Sequence, residues 1–170
     1  NLKITAIESD ILKTEIDILK KIGAKITQKK NEIIIQGSKK IKNINLKTAP
    51  YPDGLATDLQ AQMMVLLCKA NKKSIIKEDI FENRFQSVSE LRRMNAKIEV
   101  KGNQATIEGN TIFKGAQVMA TDLRASASLV LAALSAKGKT TISRIYHLDR
   151  GYEDLEKKLK KVGAKIRRVN

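Results

Sequence analysis

No tryptophan occurs among the 170 residues, and tyrosine and phenylalanine number three each. Aromatic platforms on which nucleic-acid bases stack are therefore scarce. A single cysteine, Cys68, excludes an intrachain disulfide, and its place in an apolar run predicts a packed small side chain rather than a nucleophile. With His147 as the only histidine there is no Cys/His cluster of the kind that holds zinc, and no glycine-rich phosphate loop is present. No metal or cofactor is expected. No apolar run approaches the ~20 residues needed to span a bilayer, so a membrane partner is not expected either. The opening Asn1-Leu2-Lys3-Ile4 has no signal-peptide pattern, and the cytoplasm is the expected location.

What is abundant is positive charge: 33 Lys and Arg against 18 Asp and Glu, a formal net charge of +15 with an isoelectric point near 9.9. Such a balance calls for an anionic partner. A basic nucleic-acid-binding module is one reading. Against it, Lys20-Lys21, Lys29-Lys30, Lys39-Lys40, Lys72-Lys73 and Lys157-Lys158 are dispersed along the chain, as on a solvated surface. A small phosphorylated ligand held by a few arginines is the other reading.

Two uncharged stretches organise the chain. Asp122 and Arg124 open a run of Ala, Ser, Leu and Val through Ala136, in which Leu123, Ala127, Val130, Leu131 and Leu134 fall at helical spacing. Thr57-Asp58-Leu59 opens a second, through Cys68, and the two aspartates are 64 residues apart. Helices apolar all round are expected to be buried all round. Before, between and after them recurs an exposed-helix cassette. Leu12, Ile16, Leu19 and Ile22 make an amphipathic helix from Ser9 or Asp10 to Gly23, and strands are predicted at 25–28 and 32–36. Ser87 and Glu90 form a capping-box pattern ahead of a helix that stops at Asn95, with strands at 97–100 and 104–108 joined by Gly102-Asn103. Leu155, Leu159 and Val162 lead to Gly163 and a strand at 165–169. Each stop is followed by Ala-Lys-Ile, at positions 24, 96 and 164.

The predicted fold is therefore an α/β chain of α+β repeats, one domain over 1–170, with repeats at about 1–37, 38–109 and 110–170, helices at the centre and sheets around them. Strands at 74–77 and 140–144 follow the buried helices. The first repeat lacks its buried helix, so the chain reads as the C-terminal fragment of something longer.

Chemistry is expected where the repeat breaks its own blandness. Twenty residues separate Gly37 from Asp58, against 12 between Gly109 and Asp122, and the extra length carries the turn-rich Pro50-Tyr51-Pro52-Asp53-Gly54. Asp58 and Asp122 begin the two buried helices; Arg84 and Arg150 follow the next strands, 66 residues apart. A carboxylate in a first helical turn is stabilised by the dipole, and Thr57 with Gln60 offers a capping box, so a structural role is open. Salt bridges to those aspartates would equally account for the arginines. If instead Asp58, Arg84, Asp122, Arg124 and Arg150 converge at one end of the domain, arginine forks suit a phosphate or carboxylate, and a carboxylate beside them can take a hydroxyl proton in a concerted step.

Pro50 through Asp58, Ile80-Phe81-Glu82-Asn83-Arg84-Phe85, Met119 through Ser126, and Arg144-Ile145-Tyr146-His147-Leu148-Asp149-Arg150-Gly151-Tyr152-Glu153 closely resemble the bacterial UDP-N-acetylglucosamine enolpyruvyl transferase family. The resemblance covers essentially the whole chain. The sister family, the shikimate-pathway enolpyruvyl transferases, shares the fold but not these strings. The resemblance implies an inside-out barrel of three similar repeats, the first incomplete here. It also implies transfer of the enolpyruvyl group of phosphoenolpyruvate to the sugar 3′-hydroxyl, through a tetrahedral adduct, with release of phosphate, as the first committed step of peptidoglycan synthesis. On this resemblance Asp58 matches the proposed base at the 3′-hydroxyl, and Ile80 and Phe81 the segment beside the nucleotide sugar. Arg84 and Arg150 match arginines of the phosphoenolpyruvate side, and Asp122, with Arg124 beside it, a carboxylate in proton transfer at the enolpyruvyl methylene. The family's mobile-loop cysteine, N-terminal lysine and asparagine and other-domain arginines have no counterpart here. The missing N-terminal domain is thus the expected partner, and the isolated chain is expected to be inactive.

Overall fold

In the computed structural model, which describes residues 1–169, two helices rich in Ala, Leu and Met lie side by side at the centre. They are α2 (Gln60–Cys68), entered through a 3-10 turn at Thr57–Leu59, and α4 (Leu123–Leu134), and their mutual contact is the largest between helices. In α2 no residue is exposed, and Met64, Leu67 and Cys68 reach 0% exposure. Leu129 and Ala132 of α4 are likewise fully buried, and the core extends outward through Ile76, Leu91, Met94, Ile107 and Phe113.

Three separate sheets surround the pair. The strand β1 (Leu2–Thr5) and the hairpin of β2 (Lys25–Lys29) and β3 (Glu32–Gln36) form the first, ordered β1-β3-β2. The second, β4-β5-β7-β6, joins β4 (Asn45–Lys47), β5 (Ser74–Lys77), β6 (Ile98–Lys101) and β7 (Gln104–Ile107). The third pairs β8 (Gln117–Met119) with β9 (Thr141–Ser143). Both β4 and β8 run parallel to the strand that follows the neighbouring central helix, and the two hairpins are antiparallel. No closed sheet forms among the described residues. Four further helices complete the fold: α1 (Lys13–Lys21), α3 (Ser87–Arg93), α5 (Tyr146–Asp149) and α6 (Leu155–Lys161).

The stops of the exposed helices behave as their side chains dictate. Gly23, Asn95 and Gly163 have φ of 111°, 76° and 96°, the left-handed conformation that glycine adopts freely and asparagine tolerates.

Four expectations are corrected. First, α4 is not buried all round: Leu131 and Leu134 are 41% and 39% exposed, because the helices packed on α4, namely α2, α3 and α5, do not enclose it. Second, residues 164–169 form no strand, since no described strand lies beside them to complete a ladder. Ile166 instead packs against Ala127, Val130 and Leu148, and Arg168 is tied to Asp149 and Glu156. Third, neither capping box forms. Ser87 lies inside α3 with its hydroxyl buried and unpartnered, and Glu90 turns away to accept from the Met119 N–H at 3.0 Å. Thr57 likewise gives its hydroxyl to Glu78, at 2.9 Å, in place of the turn it opens. Fourth, neither Ser9 nor Asp10 caps the first helix with its side chain. For Thr57 and Glu90 a tertiary partner outcompetes the local one.

Candidate active site

The start of α4 is built by its own sequence. Asp122, in extended backbone at the N-cap, accepts from the N–H groups of Arg124 and Ala125 through Oδ1, both at 2.8 Å. That satisfies two of the orphan donors every helix start leaves behind. Its Oδ2 has only the Thr121 hydroxyl, at 3.4 Å. The cap also fixes where the Arg124 side chain leaves the helix. It reaches across to the mouth of α2, where its Nη2 stands 2.5 Å from Asp58 Oδ2. Arg84, from the loop after β5, approaches the other oxygen of Asp58 at 3.4 Å.

Asp58 is thus held between two guanidinium groups while its side chain stays 50% exposed. The hydrogen bond and charge of Arg124, reinforced by Arg84, hold its carboxyl below the ordinary carboxylate range against a smaller opposing effect of burial. Reciprocally, Asp58 and then Tyr152 raise the affinity of Arg124 for its proton. Tyr152 also accepts from Gln62 Nε2 at 3.2 Å, which ties α2 to the chain beyond α5.

Asp58, Arg84, Asp122, Arg124 and Arg150 all line one cavity of about 450 Å³, together with Thr57 and Gln60. Among the described residues Arg150 makes no ion pair, so its charge is uncommitted. Ile80 and Phe81 do not line this cavity. They are 39% and 53% exposed beside it, with the Arg84 guanidinium 4.6 Å from the centre of the Phe81 ring. Cys68 lies outside the cavity, and burial pushes its thiol up to about 12, which makes it unreactive. Arginines that face one carboxylate from two sides, with a third left free, can hold a small dianion between them and keep that carboxylate ionised.

Sequence reasoning gave two residues no part in the site. Gln60 is 1% exposed, lines the cavity, and has no partner for Nε2. Glu78, at the end of β5, is 2% exposed and accepts from Thr48, Thr57, Ile80 and Phe81. A lone glutamate after a short strand gives no local sign of such burial; only its donors, up to 30 residues away, reveal it.

The chain that carries this cleft is matched, as a whole, among known proteins. The family profile described as EPSP synthase (3-phosphoshikimate 1-carboxyvinyltransferase) matches residues 1–159, and the chain belongs to that family. Over all 170 residues it is 75% identical to the UDP-N-acetylglucosamine 1-carboxyvinyltransferase of Pelagibacter ubique, and over 169 residues 52% identical to that of Geotalea daltonii. The chain spans about 40% of the length of these curated relatives. Among solved structures, the enolpyruvyl transferase NikO from Streptomyces tendae superposes with a TM-score of 0.89 at 31% identity, over 98% of this chain and 39% of that one. An EPSP synthase from Acinetobacter baumannii shares the fold, with a TM-score of 0.74 at 17% identity over 99% of this chain and 39% of that one. These relatives lend the nucleic-acid reading no support.

Proposed function

We propose that this chain carries part of the site of an enzyme that transfers the enolpyruvyl group of phosphoenolpyruvate to the 3′-hydroxyl of UDP-N-acetylglucosamine and releases phosphate, the first committed step of peptidoglycan synthesis. The observation that carries the reading is the cavity in which Asp58, Arg84, Asp122, Arg124 and Arg150 meet. The sugar, rather than a shikimate, is favoured by the 75% identity to a UDP-N-acetylglucosamine transferase against 17% to a solved EPSP synthase.

In this mechanism the 3′-oxygen bonds to C2 of phosphoenolpyruvate as its proton passes to Asp58, and the methylene carbon gains a proton. Phosphate then leaves C2 with its bonding electrons, and a proton leaves the methyl carbon to restore the double bond. Asp58 is a weak base, so its proton transfer is concerted with C–O bond formation. Arg84, Arg124 and Arg150 hold the phosphoenolpyruvate anion, and Oδ2 of Asp122, free of the helix cap, serves the methylene proton. Ile80 and Phe81 flank the nucleotide sugar. No redox cofactor is required, because an addition followed by an elimination, each with a proton transfer, leaves no net change of oxidation state.

The same reading makes the chain part of an inside-out barrel of three repeats, supported by the three left-handed helix stops and the two matching parallel strand pairs. The remaining length of the parent protein would supply the opposite wall and its cationic groups. Closing reactants into a water-poor site is worth at most ~7–11 kcal/mol, so the chain alone is inactive. No helix among the described residues is long and apolar enough to cross a membrane. The cytoplasm is the location proposed with this reading.

Phosphate release from phosphoenolpyruvate by the full-length protein is the test. Turnover with UDP-N-acetylglucosamine and none with 3-phosphoshikimate is expected. The reverse preference, or turnover by the 170-residue chain at a comparable rate, overturns the reading.

A further inference from the structure

Glu78 is a buried carboxyl group with no cation beside it: among the described residues, no lysine or arginine nitrogen lies within ion-pair distance. Its neighbours Lys47 and Lys77 bind Asp79 instead, at 3.1 and 3.3 Å. A buried carboxyl group must be satisfied by hydrogen bonds or it is strongly destabilising. Here four donors satisfy it, and they come from three separate segments. Oε1 accepts from the Thr48 hydroxyl at 2.8 Å and from the N–H groups of Ile80 and Phe81 at 2.9 and 3.1 Å. Oε2 accepts from the Thr57 hydroxyl at 2.9 Å. Thr48, itself fully buried, passes the network on by accepting from the Asp79 N–H at 2.9 Å.

Those donors are placed for a purpose beyond packing. Thr57 is the residue before Asp58 and lines the same cavity; Ile80 and Phe81 lead to Arg84, whose guanidinium rests over Phe81. One carboxyl group therefore joins the long 38–57 connection, the mouth of α2 and the loop after β5. We propose that Glu78 is a positioning residue of the transfer reaction. It sets the distance between the Asp58 carboxylate and the Ile80–Phe81 backbone, and so the register of the sugar 3′-hydroxyl against its base. The inference rests on the function proposed above. Glu78 touches no reacting atom; it acts through Thr57 and through two backbone amides.

Gln keeps an acceptor at the Oε1 position but puts an NH2 group at the Oε2 position, so the Thr57 hydroxyl must turn from donor to acceptor and all four bonds lose the assistance of a carboxylate. In the full-length protein, Glu78→Gln and Thr57→Val are each expected to lower kcat/KM for UDP-N-acetylglucosamine about 10- to 100-fold, the loss that one charge-assisted hydrogen bond represents. The loss for phosphoenolpyruvate should be smaller, and Thr57→Ser, which keeps the hydroxyl, should stay near wild type. Amide hydrogen exchange at Ile80 and Phe81 should quicken in Glu78→Gln. Unchanged kinetics and exchange in Glu78→Gln, or equal losses for both substrates with a fall in the unfolding midpoint, overturn the proposal. Should Glu78→Gln fail to fold, Thr57→Val against Thr57→Ser decides alone. A wild-type protein without turnover sinks the proposed reaction instead, and the exchange measurement then still shows whether Glu78 holds the loop.

Discussion

Replacing Arg124 with Ala separates a clamp that stabilises the fold from a group that serves chemistry. The Arg124 and Asp58 side chains are 31% and 50% exposed, so their ion pair is partly solvated. Such pairs contribute ~0.2–1 kcal/mol. Arg84 remains 3.4 Å from Asp58, so the carboxylate is not stranded, and alanine is a slightly better helix former in the first turn of α4. The net loss of stability should be about 1 kcal/mol or less, a small fall in Tm. The cost in turnover should be much larger. Removing a charged donor from a bound anion costs ~1.5–3 kcal/mol, about 10- to 150-fold in rate. The pH profile supplies a second check. Arg124 holds the Asp58 carboxyl below its ordinary value, so the wild-type acid limb lies at low pH and Arg124→Ala moves it upward. Phosphate release by the full-length protein, with thermal unfolding of the same sample, tests this. Turnover that falls only in proportion to lost stability, or an acid limb that does not move, would refute the reasoning.

In the full-length protein, Asp58→Asn should reduce turnover ~10²–10⁴-fold with the unfolding midpoint nearly unchanged, read by phosphate release and circular dichroism. Arg150→Ala should raise the KM for phosphoenolpyruvate, because its charge is spent on no ion pair among the described residues. Leu129→Ala should cost ~2–5 kcal/mol in denaturant unfolding, since Leu129 is fully buried, whereas Leu131→Ala, at a position 41% exposed, should cost well under half of that. Arg168 pairs with Asp149 at 2.7 and 2.9 Å and holds its carboxyl below the ordinary range. The stability this adds is fully present above the unfolded value near ~3.9 and is lost as pH falls through the lower folded value, so Arg168→Gln should flatten acid unfolding below about pH 4.

Most of the element order was legible in the sequence because it depends on local rules. Apolar spacing marked α1, α2 and α4; Gly23, Asn95 and Gly163 marked three helix stops; and Gly102-Asn103 marked the β6–β7 hairpin, whose turn glycine has φ of 58°. The candidate residues were legible for a different reason. Asp58 and Asp122 open the two uncharged stretches and Arg84 and Arg150 stand 66 residues apart, and these four line one cavity with Arg124.

What the sequence could not determine was the choice among partners. Thr57, Ser87 and Glu90 each carry a local capping signal, and each is claimed by its tertiary surroundings: Thr57 by Glu78, Glu90 by the Met119 amide, Ser87 by burial. Residues 165–169 alternate like a strand but have no described strand to pair with, and strand formation is a property of two chains, not one. The exposed Leu131 and Leu134, the buried Glu78 and the pairing of Asp58 with Arg124 across 66 residues were likewise decided by three-dimensional placement. Periodicity records how often a side chain returns to one face of its own element; which donor, strand or charge stands opposite that face is settled only when the elements pack.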